Sequence, residues 1–144
     1  MTKKEYTDCD RKGLDEKLPE IECFRNHFAG TTVTVEIPEF TSICPKTGLP
    51  DFGVVTITYE PAERVIELKS LKHYILAYRD LGIFNENAVN RILADCVKAC
   101  KPVWASVRGV FAPRGGISTT VEAHYAKKIK GETVWRRLSN GSNN

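Results

Sequence analysis

The sequence lacks several patterns that would place it in a familiar class. It has no apolar run of about 18 residues, the length that a membrane-spanning helix needs. It has no G-x-G-x-x-G turn, so a nicotinamide cofactor would have to bind without a Rossmann fold. The first 20 residues are charged throughout and contain no apolar segment typical of a secretory signal. We therefore expect a cytoplasmic protein with no membrane partner.

Metal-binding patterns are also missing. The three histidines, His27, His73 and His124, are too scattered to name a zinc site, which argues against a zinc-dependent cyclohydrolase. The five cysteines are an odd number, and without a secretory signal this predicts reduced thiols. Cys96 and Cys100 lie four apart on a predicted helix, and we interpret them as core thiols because no further ligand completes a metal set. We predict no metal.

Charge is uneven along the 144 residues, a length that fits one domain. The formal net charge is +3, and residues 127–144 hold five Lys and Arg against a single Glu. The rest of the chain is therefore close to neutral, which argues against a large phosphate-binding surface. We expect no direct contact with nucleic acid, and we interpret residues 127–144 as a basic, disordered tail.

Hydrophobic periodicity predicts an α+β fold. Alternating apolar residues are typical of strands, and their recurrence every three or four residues is typical of a helix face. These patterns predict strands at 31–37, 54–60, 103–112 and 117–126 and helices at 67–80 and 87–100. The order β-β-α-α-β-β predicts an antiparallel four-stranded sheet with two helices on one face. Its open edges predict pairing between subunits.

Local signals predict the boundaries. Asn85 is a typical N-cap for the second helix, and Gly82 is expected to end the first. Three prolines and two glycines predict a loop at 38–53. Residues 21–126 are therefore interpreted as one domain that follows a flexible arm at 1–20.

The predicted loop carries the residues best suited to covalent chemistry. Cys44 lies beside Lys46, whose charge would favour the thiolate. Asp51 follows in the same loop, so a thiol and a proton donor could flank one bound substrate. A single loop cysteine is more often structural, and the spacing alone leaves both interpretations open.

The start of the first predicted helix could bind an anionic cofactor. Ser70 and the free amides of the first turn suit a phosphate, and Lys69 and Lys72 share a face. The alternative is a solvated basic face.

Two further residues allow a structural and a functional interpretation. Arg114 lies in a Pro-Arg-Gly-Gly turn and could reach a phosphate, although the glycines alone predict a hairpin. Glu86 opens the second helix, where it either complements the helix dipole or accepts two N–H bonds from a guanine-like edge.

Four segments together resemble the 7-cyano-7-deazaguanine reductases of the queuosine pathway. They are PEFTSICPKTGLPDFG (38–53), ELKSLKHYILAYR (67–79), NENAVNRIL (85–93) and FAPRGGI (111–117). The resemblance covers about residues 20–126, and the stretch Glu-Leu-Lys-Ser-Leu-Lys is the family's hallmark. It implies the tunnelling fold, a homo-oligomeric barrel with active sites at subunit interfaces, and the reduction of a small-molecule nitrile to a primary amine with NADPH.

The resemblance also implies a role for individual residues. Cys44 matches the nucleophile that forms a thioimide, and Asp51 matches the proton donor. The residues that match the substrate pocket are Ile66, Glu67, Leu68, Asn85 and Glu86, with Glu86 as the anchor of the base. The residues that match cofactor contacts are Leu68, Lys69, Arg114 and Gly115.

One position departs from the family pattern. Asn85 stands where many members carry His, and Asn can form hydrogen bonds but cannot transfer a proton at neutral pH. Two alternatives stay open: a tRNA-acting amidinotransferase of the same fold, and a non-catalytic module that binds a purine or pterin. The intact hallmark at 67–72 argues against the first, and the combination of Cys44, Asp51 and Glu86 argues against the second.

Overall fold

The computed structural model describes residues 9–129 and 132–133. The strands in this part of the chain are β1 (Cys23–Arg25), β2 (Val33–Ile43), β3 (Pro50–Glu60), β4 (Arg64–Ile66), β5 (Trp104–Arg114), β6 (Ile117–Ala126), β7 (Lys128–Ile129) and β8 (Glu132–Thr133). The helices are α1 (Leu68–Leu76), a 3-10 turn (Ala77–Asp80) that continues it, and α2 (Asn85–Cys100).

A four-stranded antiparallel sheet in the order β2-β3-β5-β6 forms the centre of the molecule. Along β3, Val55, Ile57 and Tyr59 point to one face and are at most 1% exposed. Ile57 pairs with Val107 of β5, which is also buried, and α2 packs across β5 and β6. Burial of this single apolar face stabilises the sheet against the helices. The predicted α+β class and the four-stranded antiparallel sheet are confirmed.

The segment predicted as a loop at 38–53 is mostly strand. β2 continues to Ile43 and β3 begins at Pro50, which leaves only 44–49 as the turn. The prediction was wrong because Pro38 lies within a β-bulge of β2 and Pro50 is the first residue of β3. Both are places where a strand tolerates a residue without an amide hydrogen.

The first predicted helix ends earlier than its sequence signal suggested. Regular α-helix stops at Leu76, and the 3-10 turn ends at Asp80 with Leu81 in an extended conformation. Gly82 does not cap the helix, because it lies beside Ile43 in an isolated parallel bridge. This bridge fixes the end of β2 to the chain that leads into α2.

The second predicted helix is present, with a different start. Phe84 is the N-cap of α2 and has no side-chain capping bond, so the prediction of Asn85 as N-cap is wrong. Asn85 lies instead within the first turn. The predicted apolar face is buried as expected, including Cys96 and Cys100 at 2% and 1% exposure, which confirms that these two thiols belong to the core.

The two predicted terminal segments are partly ordered. Residues 9–20 contain no helix or strand, but the Arg91 guanidinium of α2 donates to the carbonyls of Gly13 and Glu16. These bonds tie Gly13 and Glu16 to α2, although most of residues 9–20 are exposed. Within the predicted disordered tail, β7 and β8 pair with each other. Residues 1–8, 130–131 and 134–144 lie outside the described residues, and the domain boundaries stay predictions.

Within the described part of the chain, none of the helices has both the length and the apolar character needed to cross a membrane.

Candidate active site

Cys44 opens the turn between β2 and β3. Its amide donates to the Leu49 carbonyl and its carbonyl accepts from the Gly48 amide, both at 2.9 Å. Gly48 has a φ of 70°, in the left-handed region that favours glycine. The turn therefore folds back on itself and leaves Cys44 half-buried.

The turn stabilises the thiolate of Cys44. Burial opposes ionisation of the thiol, and so does the nearby Asp51 carboxylate. Hydrogen bonds from the Thr47 side chain and from the amides of Thr47 and Lys46 outweigh both effects, so the pKa of Cys44 lies below its ordinary value. Lys46 therefore contributes to this site through its backbone amide.

Asp51 and Arg114 form a close ion pair next to this turn. Asp51 is 6% exposed, and its Oδ1 accepts from Arg114 Nη1 at 2.5 Å. Arg114 Nη2 also donates to Thr47 Oγ1 at 3.3 Å. The hydrogen bond and charge of Asp51, followed by the nearby Cys44 thiolate, raise the pKa of Arg114. The guanidinium therefore connects Asp51 to the turn that carries Cys44.

The hairpin at the end of β5 fixes the position of Arg114. Arg114 is the last residue of β5 and pairs with Ile117, the first residue of β6. Gly115 and Gly116 have φ values of 58° and 80°, which is typical of a two-residue turn that needs positive φ at both positions. The predicted Pro-Arg-Gly-Gly turn is confirmed at Gly115 and Gly116, whereas Pro113 and Arg114 belong to β5. The cofactor roles of Arg114 and Gly115 stay predictions.

The parallel bridge between Ile43 and Gly82 places the segment that leads into α2 beside the residue that precedes Cys44. Asn85 and Glu86 occupy this first turn. The Glu86 side chain is exposed, and its backbone carbonyl accepts from Asn90 Nδ2 at 2.8 Å. Asn85 Oδ1 is buried and has no hydrogen-bond partner within the described residues. An unsatisfied buried acceptor is costly and rare, so it is a candidate for a substrate N–H.

Four of the residues expected around the base and the cofactor form a second cluster at the junction of β4 and α1: Ile66, Glu67, Leu68 and Lys69. Ile66 is 3% exposed and Leu68 is 60% exposed. Glu67 is the N-cap of α1, and its two carboxylate oxygens accept from the amides of Lys69 and Ser70, each at 2.7 Å. These bonds lower the pKa of Glu67.

The helix start is therefore not a free phosphate site. The Glu67 carboxylate occupies the amides that the sequence assigned to a phosphate, and Ser70 Oγ donates to the Glu67 carbonyl at 2.8 Å. The amides of Lys69 and Ser70 and the Ser70 hydroxyl are thus already bonded within the chain, which favours the alternative interpretation of a solvated basic face. Exposed Lys69 and Lys72 still fit the phosphates of NADPH, and exposed Leu68 offers apolar surface beside them. The Lys69 and Lys72 side chains, and not the backbone amides, would therefore contact the cofactor phosphates.

Sequence reasoning missed two features of the first cluster. Thr47, which stabilises the thiolate, lies three residues after Cys44. The stretch C-P-K-T-G is typical of a turn, so the sequence could have predicted that Thr47 lies near the sulfur. The pairing of Asp51 with Arg114 joins residues 63 apart. It depends on the register of β3 and β5, which no local pattern reveals.

One further groove is present among the described residues. It has a volume of about 1300 Å³ and runs between residues 17–26 and α2, and its walls include none of the predicted site residues. Among the described residues, no group of three or more His, Cys, Asp or Glu is arranged to hold a metal ion.

Comparison with known proteins gives consistent matches. Residues 50–130 match the family model described as QueF-like protein. The chain is 58% identical over 125 residues to the NADPH-dependent 7-cyano-7-deazaguanine reductase of Elusimicrobium minutum, covering 85% of this chain and 95% of that protein. It is 53% identical over 109 residues to the protein of the same name from Chlorobaculum tepidum, covering 74% and 93%.

A solved structure supports the fold. The crystal structure of the archaeosine synthase QueF-Like in the apo form aligns with a TM-score of 0.64, covering 71% of this chain and 100% of that one. The sequence identity is 20%, so this likeness concerns the fold alone.

Proposed function

The chain belongs to the QueF-like family, with the NADPH-dependent 7-cyano-7-deazaguanine reductases, and we propose that it reduces the nitrile of 7-cyano-7-deazaguanine to the primary amine. The product would be 7-aminomethyl-7-deazaguanine, which is used in the biosynthesis of queuosine in tRNA. The observation that carries the proposal is a half-buried thiol with a lowered pKa, linked through Thr47 and Arg114 to a buried carboxylate. That arrangement suits covalent addition to a nitrile.

The first step is addition of Cys44 to the nitrile. The sulfur bonds to the nitrile carbon while one carbon–nitrogen π bond breaks. The thiol proton passes to Asp51 and from there to the nitrogen, so the product is a neutral thioimide. Arg114 holds the carboxylate in place for both transfers. Two molecules of NADPH, bound in turn, would each supply one hydride to the former nitrile carbon, and two protons taken up from solvent would complete the amine and regenerate the thiol.

We expect the start of α2 to bind the base. The exposed Glu86 carboxylate can accept two parallel N–H bonds from the guanine-like edge. The unsatisfied Asn85 Oδ1 is a further acceptor on the same turn. Ile66, Glu67 and Leu68 would line the opposite side of the base, and Leu68, Lys69, Arg114 and Gly115 would contact the cofactor.

Assembly into a homo-oligomer would bring the two clusters together. In one subunit, Cys44 lies at the turn between β2 and β3, whereas Glu67 lies at the junction of β4 and α1. β2 and β6 each have one edge without a partner in the sheet. Phe52 and Ile117 are 55% and 73% exposed near the Cys44 end of that sheet. We expect subunits to pair there, forming a barrel with active sites at the interfaces. The setting is cytoplasmic, with no direct nucleic-acid contact.

The test uses purified protein and 7-cyano-7-deazaguanine without NADPH. We expect one adduct per subunit by intact mass and a new near-ultraviolet absorbance, both absent from Cys44→Ala. Cys23→Ala is the matched control, since Cys23 is also half-buried but its pKa is raised by burial. With NADPH added, two equivalents should be oxidised per base.

Other outcomes would redirect the assignment. No adduct at saturating base would exclude the covalent mechanism. An ammonia-dependent product on tRNA would favour the amidinotransferase, and tight binding of the base without an adduct would favour a binding module.

A further inference from the structure

Residues 9–16, which we call the N-terminal strap, contact Pro45, the residue after Cys44, and residues 82–83, which bond to Ile43, the residue before it. At one end, Cys9 Sγ lies 3.9 Å from the carbonyl oxygen of Pro45, the residue after Cys44. At the other end, Gly13 packs against Gly82 and Ile83. Between them, the Lys12 amide donates to the Cys9 carbonyl at 3.1 Å, which keeps the strap compact.

The contact at Gly13 leads directly to the nucleophile. Ile43 precedes Cys44, and its amide donates to the Leu81 carbonyl at 2.9 Å. Its carbonyl accepts from the Ile83 amide, also at 2.9 Å. The segment that Gly13 touches is thus the segment that fixes Ile43. A shift of residues 81–83 would move the start of the turn whose amides stabilise the thiolate.

Gly13 lies so close to residues 82–83 that a side chain at this position would displace them. It is buried with a φ of 83°, and a β-carbon built there would lie 2.5 Å from the Gly82 carbonyl oxygen and 2.6 Å from Ile83 Cβ. Distances this short cannot be accommodated without movement of the backbone. The close approach requires glycine.

Helix α2 holds the strap in place. Asn87 Nδ2 donates to the Asp10 carbonyl at 2.8 Å, and the Arg91 guanidinium donates to the carbonyls of Gly13 and Glu16. Arg91 is fixed in turn by Asp95, whose carboxylate lies 3.4 Å from Arg91 Nε. Asn87 immediately follows Glu86, so the same turn of helix carries the proposed base anchor and the strap's support.

We propose that the N-terminal strap is a positioning element of the active site, which holds the Cys44 turn and the start of α2 in register. This rests on the proposed role of Cys44 as nucleophile. Loss of the strap contacts would misplace the amides of Lys46 and Thr47 relative to the sulfur, so the thiolate would lose stabilisation while the fold persists.

The main test compares two glycine variants. Gly13 and Gly30 have similar φ values of 83° and 79°, but a β-carbon at Gly30 meets nothing within 4 Å. Gly13→Ala and Gly30→Ala therefore share the backbone strain, and only Gly13→Ala displaces residues 82–83. The readout is the pH profile of Cys44 alkylation by iodoacetamide, measured on the Cys44 peptide.

For Gly13→Ala we expect the midpoint of the alkylation profile to move upward by about one pH unit, with about tenfold slower alkylation near neutral pH. The rates above the midpoint should be similar to wild type. Gly30→Ala should keep the wild-type profile. A folded Gly13→Ala with the wild-type midpoint and rate would overturn the proposal, as would an equal shift in Gly30→Ala.

A second pair decides the matter if Gly13→Ala does not fold. Asn87→Ala removes one hydrogen bond to the strap, whereas Asn90→Ala removes one made within α2. A rise in the midpoint for Asn87→Ala alone supports the strap, and unchanged profiles in both overturn it. Alkylation needs neither nitrile nor NADPH, so failure of the reductase assignment would be seen separately, as a missing nitrile adduct in wild type.

Discussion

Arg114 Nη1 lies 2.5 Å from Oδ1 of the buried Asp51, and the same guanidinium reaches Thr47 Oγ1 at 3.3 Å. From the sequence, this side chain could reach a cofactor phosphate. In the structure it is bonded to Asp51 and to Thr47, beside Cys44. One cation orients the proposed proton carrier and the residue that stabilises the thiolate. We expect Arg114 to affect formation of the covalent adduct before any cofactor binds.

Arg114→Ala should slow adduct formation with the nitrile by about tenfold or more in the absence of NADPH, because misplaced catalytic groups lose that much rate. Arg114→Lys should recover only part of the rate, since an ammonium lacks the fork that reaches two acceptors. Stopped-flow absorbance of the thioimide measures both.

The control for this prediction is Arg108→Ala. Arg108 forms an exposed pair with Glu122 at 3.0 Å, and such surface pairs contribute little. We expect no change in rate. If Arg114→Ala forms the adduct at the wild-type rate and raises only the KM for NADPH, Arg114 serves the cofactor and not Asp51.

Thr47→Val should raise the pKa of Cys44. Its side-chain hydrogen bond is the largest of the effects that lower this pKa, and removal leaves burial and the Asp51 charge opposing ionisation. The thiolate fraction at neutral pH should fall about tenfold for a rise of about one unit. The pH profile of Cys44 alkylation tests this, with exposed Thr120→Val as the control. A downward shift of the midpoint would contradict the hydrogen-bond assignment.

The sequence predicted the elements better than the connections between them. The strand at 54–60 and the buried face of α2 follow from periodicity alone, and the structure confirms both. The loop at 38–53 was overestimated because prolines at a bulge and at a strand start look like loop residues. The choice between a phosphate site and a solvated face at Ser70 could not be made from residue types, because they do not reveal that the Glu67 carboxylate bonds to the Ser70 amide.

The site was predictable only as separate pieces. Cys44 and Asp51 stood out by residue type and by family resemblance, and the structure places Asp51 in β3, directly after the turn that Cys44 opens. The bond between Arg114 and Asp51 depends on the register of the strands. The position of the strap depends on the contact of the buried Gly13 with residues 82–83. Contacts between distant segments leave no periodic signal in one sequence.

Asn85→Ala should weaken binding of the base without lowering stability. Asn85 Oδ1 is buried without a partner, and such an acceptor destabilises the free protein by about 1–3 kcal/mol. We expect an unchanged or higher Tm and about a tenfold weaker affinity for the base. Calorimetric titration in a Cys44→Ala background measures affinity without adduct formation. A lower Tm with unchanged affinity would show that Asn85 is structural.

Four of the five cysteines should react with iodoacetamide in an order set by burial and local hydrogen bonding. Cys44 should be labelled before Cys23, because burial raises the pKa of Cys23 while the turn lowers that of Cys44. Cys96 and Cys100 should stay unlabelled in the native protein, since both are buried and burial raises the pKa of Cys100 to about 12. Peptide-mapped mass spectrometry over time gives each rate.

Denaturation separates the two causes of this order. In urea the hydrogen bonds of the turn and the core are both lost, so all five rates should converge near that of a free thiol. Labelling of Cys96 before Cys44 in the native state would contradict the burial of the α2 face that carries Cys96. Equal native rates for Cys44 and Cys23 would show that the turn does not activate its thiol, and the proposed nucleophile would then lack its physical basis.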